Sequence, residues 1–335
     1  MVDATHQRFF AADRSYFSIL KKEIHSMVAS AGFDPKKIDK IDLILAELTS
    51  NLHKYTKGGE ILAGIMGDAD LSYVELICID NGPGMKDAKS MLADGVSTKS
   101  TLGHGLGSIS RLSDEFDLFS QPNWGTIVLS RVYKHTVRKK EKVAVDVRPL
   151  VIAKPSELTS GDGFYKKIIG NNIKFMLADG LGHGPDANLA MNAAVEAFKR
   201  CPFDSPTEII QFIHPEVRKT RGLVATVAVL DTKTKHLKIS GVGNISTRLQ
   251  GAALSKTQLP YNGIIGHNIP RTMNDHILDI RYYSKLILCS DGIRSRWEIN
   301  KYPQIIRHDP SVLAAAIYKD YARQTDDMSV VVINM

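Results

Sequence analysis

Four acidic residues in the second half of the sequence have the types and settings of metal ligands. Asp162, Asp179 and Asp291 are each followed by glycine, and Asp326 lies in a Thr-Asp-Asp-Met-Ser stretch. At least three of them adjoin an apolar run that predicts a strand. An Asx turn explains any one of them equally well, but four carboxylates at strand ends of one region predict convergence on hard cations. Ligands that offer only oxygen fit Mg²⁺ or Mn²⁺ rather than zinc.

A different group of polar residues occurs in the first half. Glu47 and Asn51 are four residues apart in a predicted helix, so they share a face. Taken alone, they are more typical of a solvated helix face than of a binding site. Asp80 ends an apolar strand and begins the stretch Asp-Asn-Gly-Pro-Gly-Met, whose glycines would let a flat ring approach the backbone. A plain acidic turn is the alternative interpretation of Asp80.

A glycine-rich stretch follows at 94–107 and leads into a short predicted helix. Its glycines would allow backbone N–H groups to converge on an anion, and the helix would present its positive end. A single stretch of this kind is a weak signal. The three elements in this order and at this spacing predict a nucleotide site.

These groups must be positioned by two separate sets of elements. In the first half, helices are predicted at 12–31 and from Asp34-Pro35 to Gly58-Gly59, strands at 61–66 and 73–79, a helix at 108–112, and strands at 115–119 and 125–133. This order predicts an α/β sandwich.

The second half has a larger share of predicted strands. Strands are predicted at 143–151, 165–169, 174–178, 224–230, 236–242, 276–280, 285–289 and 328–333, with helices at 186–200, 206–217 and 310–323. We therefore predict two α/β domains, at 1–135 and 143–335, joined by a basic linker at 136–142.

Composition narrows the class of protein further. The chain has 335 residues and a formal net charge of +7, and its basic residues are scattered apart from one run at 134–142. We interpret that run as a solvated connector and expect no nucleic-acid partner. Three cysteines without a Cys-x-x-Cys spacing argue against disulfides and zinc. With no apolar signal segment and no membrane-spanning run, we expect a cytoplasmic protein with no membrane partner.

Residues from about 10 to 133 resemble the GHKL ATPase superfamily, in its anti-sigma-factor and stressosome serine kinase branch. Glu-Leu-Thr-Ser-Asn at 47–51 resembles the N box, the stretch beginning at Asp80 the first glycine box, and Gly-His-Gly-Leu-Gly at 103–107 the second. The resemblance implies a Bergerat α/β sandwich that binds ATP and Mg²⁺. No upstream dimerisation helix with a phospho-accepting histidine and no transducer domain is found, which favours the serine kinases over histidine kinases and topoisomerases.

The resemblance also implies a role for each matching residue. Glu47 would act on the incoming serine hydroxyl, Asn51 would hold Mg²⁺, and Asp80 would receive the adenine amino group. The implied cofactor-binding set is completed by Gly82, Gly84, Met85, Ser97, Thr98, Gly103, His104, Gly105, Leu106, Gly107 and Thr126.

Residues from about 143 to 335 resemble the SpoIIE-like branch of the PPM/PP2C protein phosphatases. The segment Ala-Asp-Gly-Leu-Gly-His-Gly around Asp179 carries the resemblance, although many relatives have Lys where this chain has His183. The resemblance implies an α-β-β-α sandwich holding two Mn²⁺ or Mg²⁺ ions. Their implied ligands are Asp162, Asp179, the carbonyl of Gly180, Asp291 and Asp326, with Asp327 as an alternative to Asp326. His183 is either an acid for the leaving oxygen or an ordinary loop histidine.

Together the two resemblances imply a bacterial partner-switching regulator. One domain would phosphorylate, and the other dephosphorylate, Ser or Thr on STAS-type antagonist or stressosome proteins; a sigma factor or a downstream phosphatase is a further possible partner. Two alternatives stay open. The first domain could be a non-catalytic ATP sensor that regulates the phosphatase, or the chain could be an anti-sigma factor that sequesters a sigma subunit.

Overall fold

The computed structural model describes residues 5–11, 14–56, 58–67, 71–88, 105–136, 145–251 and 254–335. The chain divides into two compact units. Met1–Glu141 and Glu298–Ala316 form the first unit, and Lys142–Trp297 and Ile317–Met335 form the second. The first unit therefore includes a segment from late in the chain. The domain boundaries at 135 and 143 stay a prediction.

The elements of the first unit follow the predicted order. They are β1 (Gln7–Ala11), α1 (Arg14–Ser30), α2 (Pro35–Tyr55), β2 (Gly59–Met66), β3 (Tyr73–Asp80), α3 (Gly105–Leu112), β4 (Glu115–Gln121) and β5 (Gly125–Tyr133). In the described part of the chain the strands form one sheet in the order β1-β2-β3-β5-β4, with antiparallel neighbours. The strand β1 was not predicted from the sequence.

Helix α2 forms where its capping and apolar pattern predict it. The side chain of Asp34 accepts a hydrogen bond from the N–H of Lys37 at 3.1 Å, and Pro35 occupies the first turn. Its apolar residues at helical spacing, Ile41, Ile44, Leu45, Leu48 and Leu52, are buried. They join residues of α1, β2 and β3 in one core, which confirms the predicted layer of helices on a sheet.

The first unit also buries a cluster of charges around Arg131, which has no exposed side-chain surface. Its Nε donates to Glu75 at 2.5 Å, and its Nη1 donates to Glu115 at 2.6 Å. Nη1 and Nη2 donate in parallel to the two oxygens of Asp309 at 2.6 and 2.8 Å, and Nη2 also donates to Ser311 at 2.8 Å. The late segment of this unit is thus tied to strand β5 by paired, charge-assisted hydrogen bonds.

The second unit contains two sheets. Its elements are β6 (Asp146–Ile152), β7 (Asp162–Ile169), β8 (Asn172–Gly180), α4 (Pro185–Arg200), α5 (Pro206–Glu216), β9 (Leu223–Asp231), β10 (His236–Val242), β11 (Ser246–Gln250), β12 (Ser255–Gln258), β13 (His276–Asp279), β14 (Lys285–Cys289) and β15 (Met328–Asn334). Helix α6 (Pro310–Tyr321) begins in the first unit and ends in the second. Strands β11 and β12 were not predicted.

The two sheets pack face to face. Among the described residues their strand orders are β13-β10-β9-β8-β7 and β12-β11-β14-β15-β6. Leu177, Leu230, Leu286 and Val331 belong to the core between them, and α4 and α5 cover the outer face of the first sheet through a second core. On β15, Val330 and Val332 are buried as well, so the second sheet is also covered on both faces. This arrangement is the predicted α-β-β-α sandwich.

No helix within the described ranges is long and apolar enough to span a lipid bilayer.

Candidate active sites

A cavity of about 600 Å³ opens in the first unit. The end of α2, the loop after β3, the start of α3 and the strand β5 surround it. Its lining residues are Leu48, Asn51, Leu52, Tyr55, Thr56, Cys78, Asp80, Pro83, Gly84, Met85, Lys86, Asp87, Gly105, Leu106, Thr126 and Val128. The cavity therefore brings together residues from all three predicted elements of the nucleotide site.

One end of the cavity is built around Asp80. The N–H of Gly82 donates to Oδ1 of Asp80 at 2.6 Å and fixes the carboxylate at the end of β3. Gly84 has φ +67°, and a Cβ there would lie 1.9 Å from the carbonyl oxygen of Gln121. Only glycine allows this close approach. The loop after Asp80 is consequently pressed against the turn that follows β4.

Ser120 connects two predicted cofactor-binding residues. Its hydroxyl accepts a hydrogen bond from the N–H of Met85 at 2.8 Å and lies 3.0 Å from the hydroxyl of Thr126. Ser120 also donates to the carbonyl of Gly125 at 3.0 Å. These contacts join the loop after β3 to the start of β5. No local sequence pattern marked Ser120.

Glu47 and Asn51 both lie beside Gly105 at the start of α3; Asn51 lines the cavity, whereas Glu47 is not one of its lining residues. A Cβ on Gly105 would lie 3.1 Å from Oε2 of Glu47 and 3.2 Å from Oδ1 of Asn51. A carboxylate, an amide and the positive end of a helix therefore meet at one place. A helix N-terminus favours anions, and an Asn side chain offers oxygen to a hard cation.

The remaining predicted residues of this site fall into two groups. Ser97, Thr98, Gly103 and His104 lie outside the described residues. Gly107 is buried within α3 and is not a lining residue. The roles inferred for all of these residues stay predictions.

Cys78 is a lining residue that sequence analysis treated only as a buried thiol. Burial, together with the charges of Asp80 and Glu60, holds the pKa of this thiol well above its ordinary value. It is therefore protonated at neutral pH and forms an apolar part of the wall beside Asp80.

In the second unit, Asp162 and Asp179 begin the carboxylate site. They are direct partners in the antiparallel pairing of β7 with β8, so their side chains project from the same face roughly 5 Å apart at Cβ. Burial raises the pKa of Asp162 to about 7, although hydrogen bonds from Ser290 and Ser329 act to lower it. Burial raises the pKa of Asp179 to about 10, and the next causes are the charges of Asp162, Asp291, Asp326 and Asp327. Five carboxylates are thus close enough to oppose each other's ionisation.

Two of the glycines that follow these acids are required by packing. A Cβ on Gly180 would lie 2.3 Å from the carbonyl oxygen of Ala187, and one on Gly292 would lie 1.9 Å from that of Asp327. The Asp-Gly pairs therefore let the strand ends approach α4 and β15 closely, and this approach gathers the carboxylates.

Different partners hold the individual acids. Oδ2 of Asp162 accepts from the hydroxyl of Ser329 at 2.7 Å, whereas its buried Oδ1 has no hydrogen-bond partner among the described residues. Asp291 accepts from the amide of Asn244 at 2.9 Å. Sequence analysis identified neither Ser329 nor Asn244, because they are distant in the chain from the acids they contact.

Asp326 and Asp327 differ in how their oxygens are used. The oxygens of Asp327 accept hydrogen bonds from the N–H groups of Lys154 and Gly161, each at 2.8 Å, and the residue is buried. Asp326 is half-buried and accepts from the N–H of Asp327 at 2.9 Å. Asp327 therefore fixes the backbone around the site, whereas Asp326 has the more accessible carboxylate.

The donor set fits divalent cations. Within the described ranges no group of three side chains is already arranged as a metal-binding group. Without a cation, neighbouring carboxylates repel one another, so their oxygens do not converge on one point. A pair of hard cations would give Oδ1 of Asp162 a partner and would neutralise the negative charge of the carboxylates.

His183 lies on the loop after Asp179. Its Nδ1 is 2.8 Å from Oε1 of Glu157, and its side chain is 46% exposed. Glu157 thus orients the ring at the edge of the site. Sequence analysis did not identify Glu157.

Comparison with known proteins finds a match for each half of the chain. Residues 10–131 match the model of the histidine kinase-like ATPase domain, and residues 170–335 match that of stage II sporulation protein E (SpoIIE). The serine/threonine-protein kinase RsbT of Bacillus subtilis (strain 168) is 35% identical over 95 residues, which are 28% of this chain and 71% of RsbT. The chain belongs to the RsbT kinase family.

Two further relatives match as well. The phosphoserine phosphatase RsbX of Bacillus subtilis (strain 168) is 25% identical over 134 residues, which are 40% of this chain and 67% of RsbX. A structure described as "The bacterial stressosome: a modular system that has been adapted to control secondary messenger signaling" has 26% identity and a TM-score of 0.52 and covers 57% of this chain and 99% of its own. The chain therefore joins an RsbT-type ATP-binding kinase domain to a SpoIIE-type PP2C phosphatase domain, and these domains use ATP and a divalent metal.

Proposed function

We propose that this chain is a bacterial partner-switching regulator with two opposing activities. The first unit phosphorylates, and the second unit dephosphorylates, Ser or Thr on STAS-type antagonist or stressosome proteins. The observation that carries the proposal is the five-carboxylate site around Asp162 and Asp179 in a chain of the RsbT kinase family. The RsbX and stressosome relatives support the choice of substrate class. Because the kinase step consumes ATP, the proposed place of action is the cytoplasm.

For the kinase step, each residue of the site in the first unit has a separate role. Asp80 accepts a hydrogen bond from the adenine amino group, and Gly84 leaves room for the base. Asn51 would hold Mg²⁺, and the N-terminal end of α3 would attract the phosphate charge. Glu47, next to Gly105, accepts the proton of the incoming serine hydroxyl. Ser97, Thr98, Gly103 and His104 lie outside the described residues and stay predicted cofactor-binding residues.

For the phosphatase step, Asp162, Asp179, the Gly180 carbonyl, Asp291 and Asp326 hold two Mg²⁺ or Mn²⁺ ions. Such a pair of cations supplies a water of lowered pKa for attack on a phosphate ester. Asp327 and Asn244 keep the ligands in place through their hydrogen bonds. The exposed His183, oriented by Glu157, is placed to protonate a leaving serine oxygen.

The test uses the purified full chain, a STAS antagonist and ATP with Mg²⁺. We expect a phosphoserine or phosphothreonine on the antagonist, located by mass spectrometry, and its removal when Mn²⁺ is added after ATP is exhausted. Glu47→Gln should retain ATP binding and lose transfer by roughly 10²-fold or more, whereas Asn51→Ala should lose Mg·ATP binding. Full transfer by Glu47→Gln would contradict its role. Binding of ATP with no phosphorylated product would favour a sensor domain.

A further inference from the structure

The guanidinium of Arg221 lies against the glycine loop that follows Asp179. A Cβ on Gly182, in the middle of this loop, would be 3.0 Å from Nη1 of Arg221. Nη2 of Arg221 donates to Oδ2 of Asp186, in the first turn of α4, at 2.5 Å. The side chain is 52% exposed, so an incoming protein substrate can reach it.

The backbone of Arg221 is fixed relative to that loop. Its carbonyl oxygen lies 2.9 Å from Nε2 of His267, and the carbonyl of Gly222 accepts from the N–H of Leu181 at 3.1 Å. Leu223, two residues on, begins β9 and pairs with Gly180. Arg221 therefore lies two residues before β9, the strand that pairs with the one carrying Asp179. Its backbone is held by these contacts, and its side chain is exposed.

A phosphorylated substrate brings negative charge to this site. Two divalent cations and the nearby Arg323 would only just balance the five carboxylates, so a further cation would strengthen the binding of a phosphate dianion. His183 adds a positive charge only when protonated, and Glu157 already engages it. Arg221 supplies a guanidinium, whose planar donors match phosphate oxygens.

We propose that Arg221 binds the phosphoryl oxygens of the phosphoserine or phosphothreonine substrate at the mouth of the carboxylate site. Asp186 engages one of its nitrogens and orients the guanidinium, which leaves the donors facing Gly182 for the phosphate. The assignment rests on the proposed phosphatase function of the second unit. The competing interpretation is an ordinary surface ion pair between Arg221 and Asp186.

The chain offers a matched control for that interpretation. Arg200, at the end of α4, donates to Glu216 at 2.7 Å, and its side chain is 60% exposed. Arg200→Ala removes a surface ion pair of the same kind, at a position that no contact joins to the loop after Asp179 among the described residues. It should therefore leave substrate handling unchanged.

The experiment compares the full chain with Arg221→Ala, Arg221→Lys and Arg200→Ala in Mn²⁺. The readouts are KM and kcat for a phosphorylated STAS antagonist, inhibition by inorganic phosphate, and direct binding of inorganic phosphate by calorimetry. We expect Arg221→Ala to raise KM and to weaken phosphate binding by about tenfold or more, because charge-assisted hydrogen bonds are lost. Arg221→Lys should recover part of this loss because it keeps the charge. The Mn²⁺ concentration for half-maximal activity and the thermal unfolding midpoint should not change.

Two outcomes separate this proposal from the one it rests on. Equal KM and equal phosphate binding in Arg221→Ala, Arg200→Ala and the unaltered chain would overturn the role of Arg221 while leaving the phosphatase intact. If the unaltered chain hydrolyses no phosphoserine substrate in Mn²⁺ or Mg²⁺, the phosphatase function fails. The binding measurement still decides then, since phosphate binding that is equal with and without Arg221 rejects the site.

Discussion

Asp162 and Asp179 face each other across two adjacent antiparallel strands, and both are largely buried. Like charges at directly opposed sheet positions destabilise a fold. A fold that retains such a pair gains by having a cation between them, because binding to the folded state alone stabilises it.

Asp179→Asn should therefore have opposite effects with and without metal. In EDTA it should raise the free energy of unfolding of the second unit by about 1 kcal/mol, because burial and the neighbouring acids make the Asp179 carboxyl costly to ionise, whereas asparagine does not ionise. In Mn²⁺ it should lose the metal-induced rise in the unfolding midpoint and the phosphatase activity. Thermal unfolding in both buffers measures this. Lower stability than the unaltered chain in EDTA would contradict the repulsion argument.

Replacing the two neighbouring acids just before β15 should separate a ligand from a structural residue. Asp327→Asn places an amide N–H₂ against the N–H of Lys154 or Gly161 and should cost about 1–3 kcal/mol of unfolding free energy even in EDTA. Asp326→Asn should cost little in EDTA and should weaken the response to Mn²⁺. The two variants are each other's control. A destabilised Asp326→Asn with an unaffected Asp327→Asn would reverse the assignment.

Gly84→Ala tests the close approach beside Asp80. A Cβ 1.9 Å from the Gln121 carbonyl forces the loop away from the cavity, so nucleotide binding should be lost even where the unit still folds. The matched control is Gly170→Ala, since Gly170 is also left-handed with φ +57° but a Cβ there meets nothing within 4 Å. The control should cost only about 1–2 kcal/mol of local backbone strain. Binding of a fluorescent ATP analogue and chemical denaturation distinguish the two. Normal binding by Gly84→Ala would show that the loop is not fixed there.

Arg131→Met should destabilise the first unit severely. It leaves the carboxylates of Glu75 and Asp309 without their main partner, and breaking a buried ion pair from one side costs about 3–5 kcal/mol. Arg111→Met, on the exposed side of α3, is the control and should change stability by less than about 0.5 kcal/mol. Urea denaturation followed by circular dichroism compares them. Equal midpoints would mean that the cluster contributes little.

Local patterns in the sequence predicted most of the architecture, because caps, helical periodicity and apolar runs act over a few residues. Helix α2 is an example, with Asp34 and Pro35 at its start. Strand β1 was missed because its five residues, Gln7–Ala11, pair in the described structure with β2, about fifty residues later in the chain. Strands β11 and β12 are equally short and partly exposed.

The candidate sites could be predicted only in part for a related reason. The acids could be predicted because glycines follow most of them and apolar strands precede them. The nucleotide residues could be predicted from their spacing. The residues that hold them do not, because Ser329 contacts Asp162 and Ser120 joins Met85 to Thr126 only through the folded sheets. The sequence likewise left Asp326 and Asp327 as alternatives. The backbone N–H groups that bind Asp327 cannot be predicted from a pattern of side chains.

The first unit is assembled from two stretches of chain, and this limits how the protein can be dissected. A recombinant fragment that stops near residue 141 lacks Asp309 and Ser311, so it removes partners of the Arg131 guanidinium and the hydrogen bond that Ser311 donates to Glu75. Activity assays on such an isolated fragment would then report on a damaged fold. Separating the two enzymatic activities by point substitution in the intact polypeptide avoids this artefact.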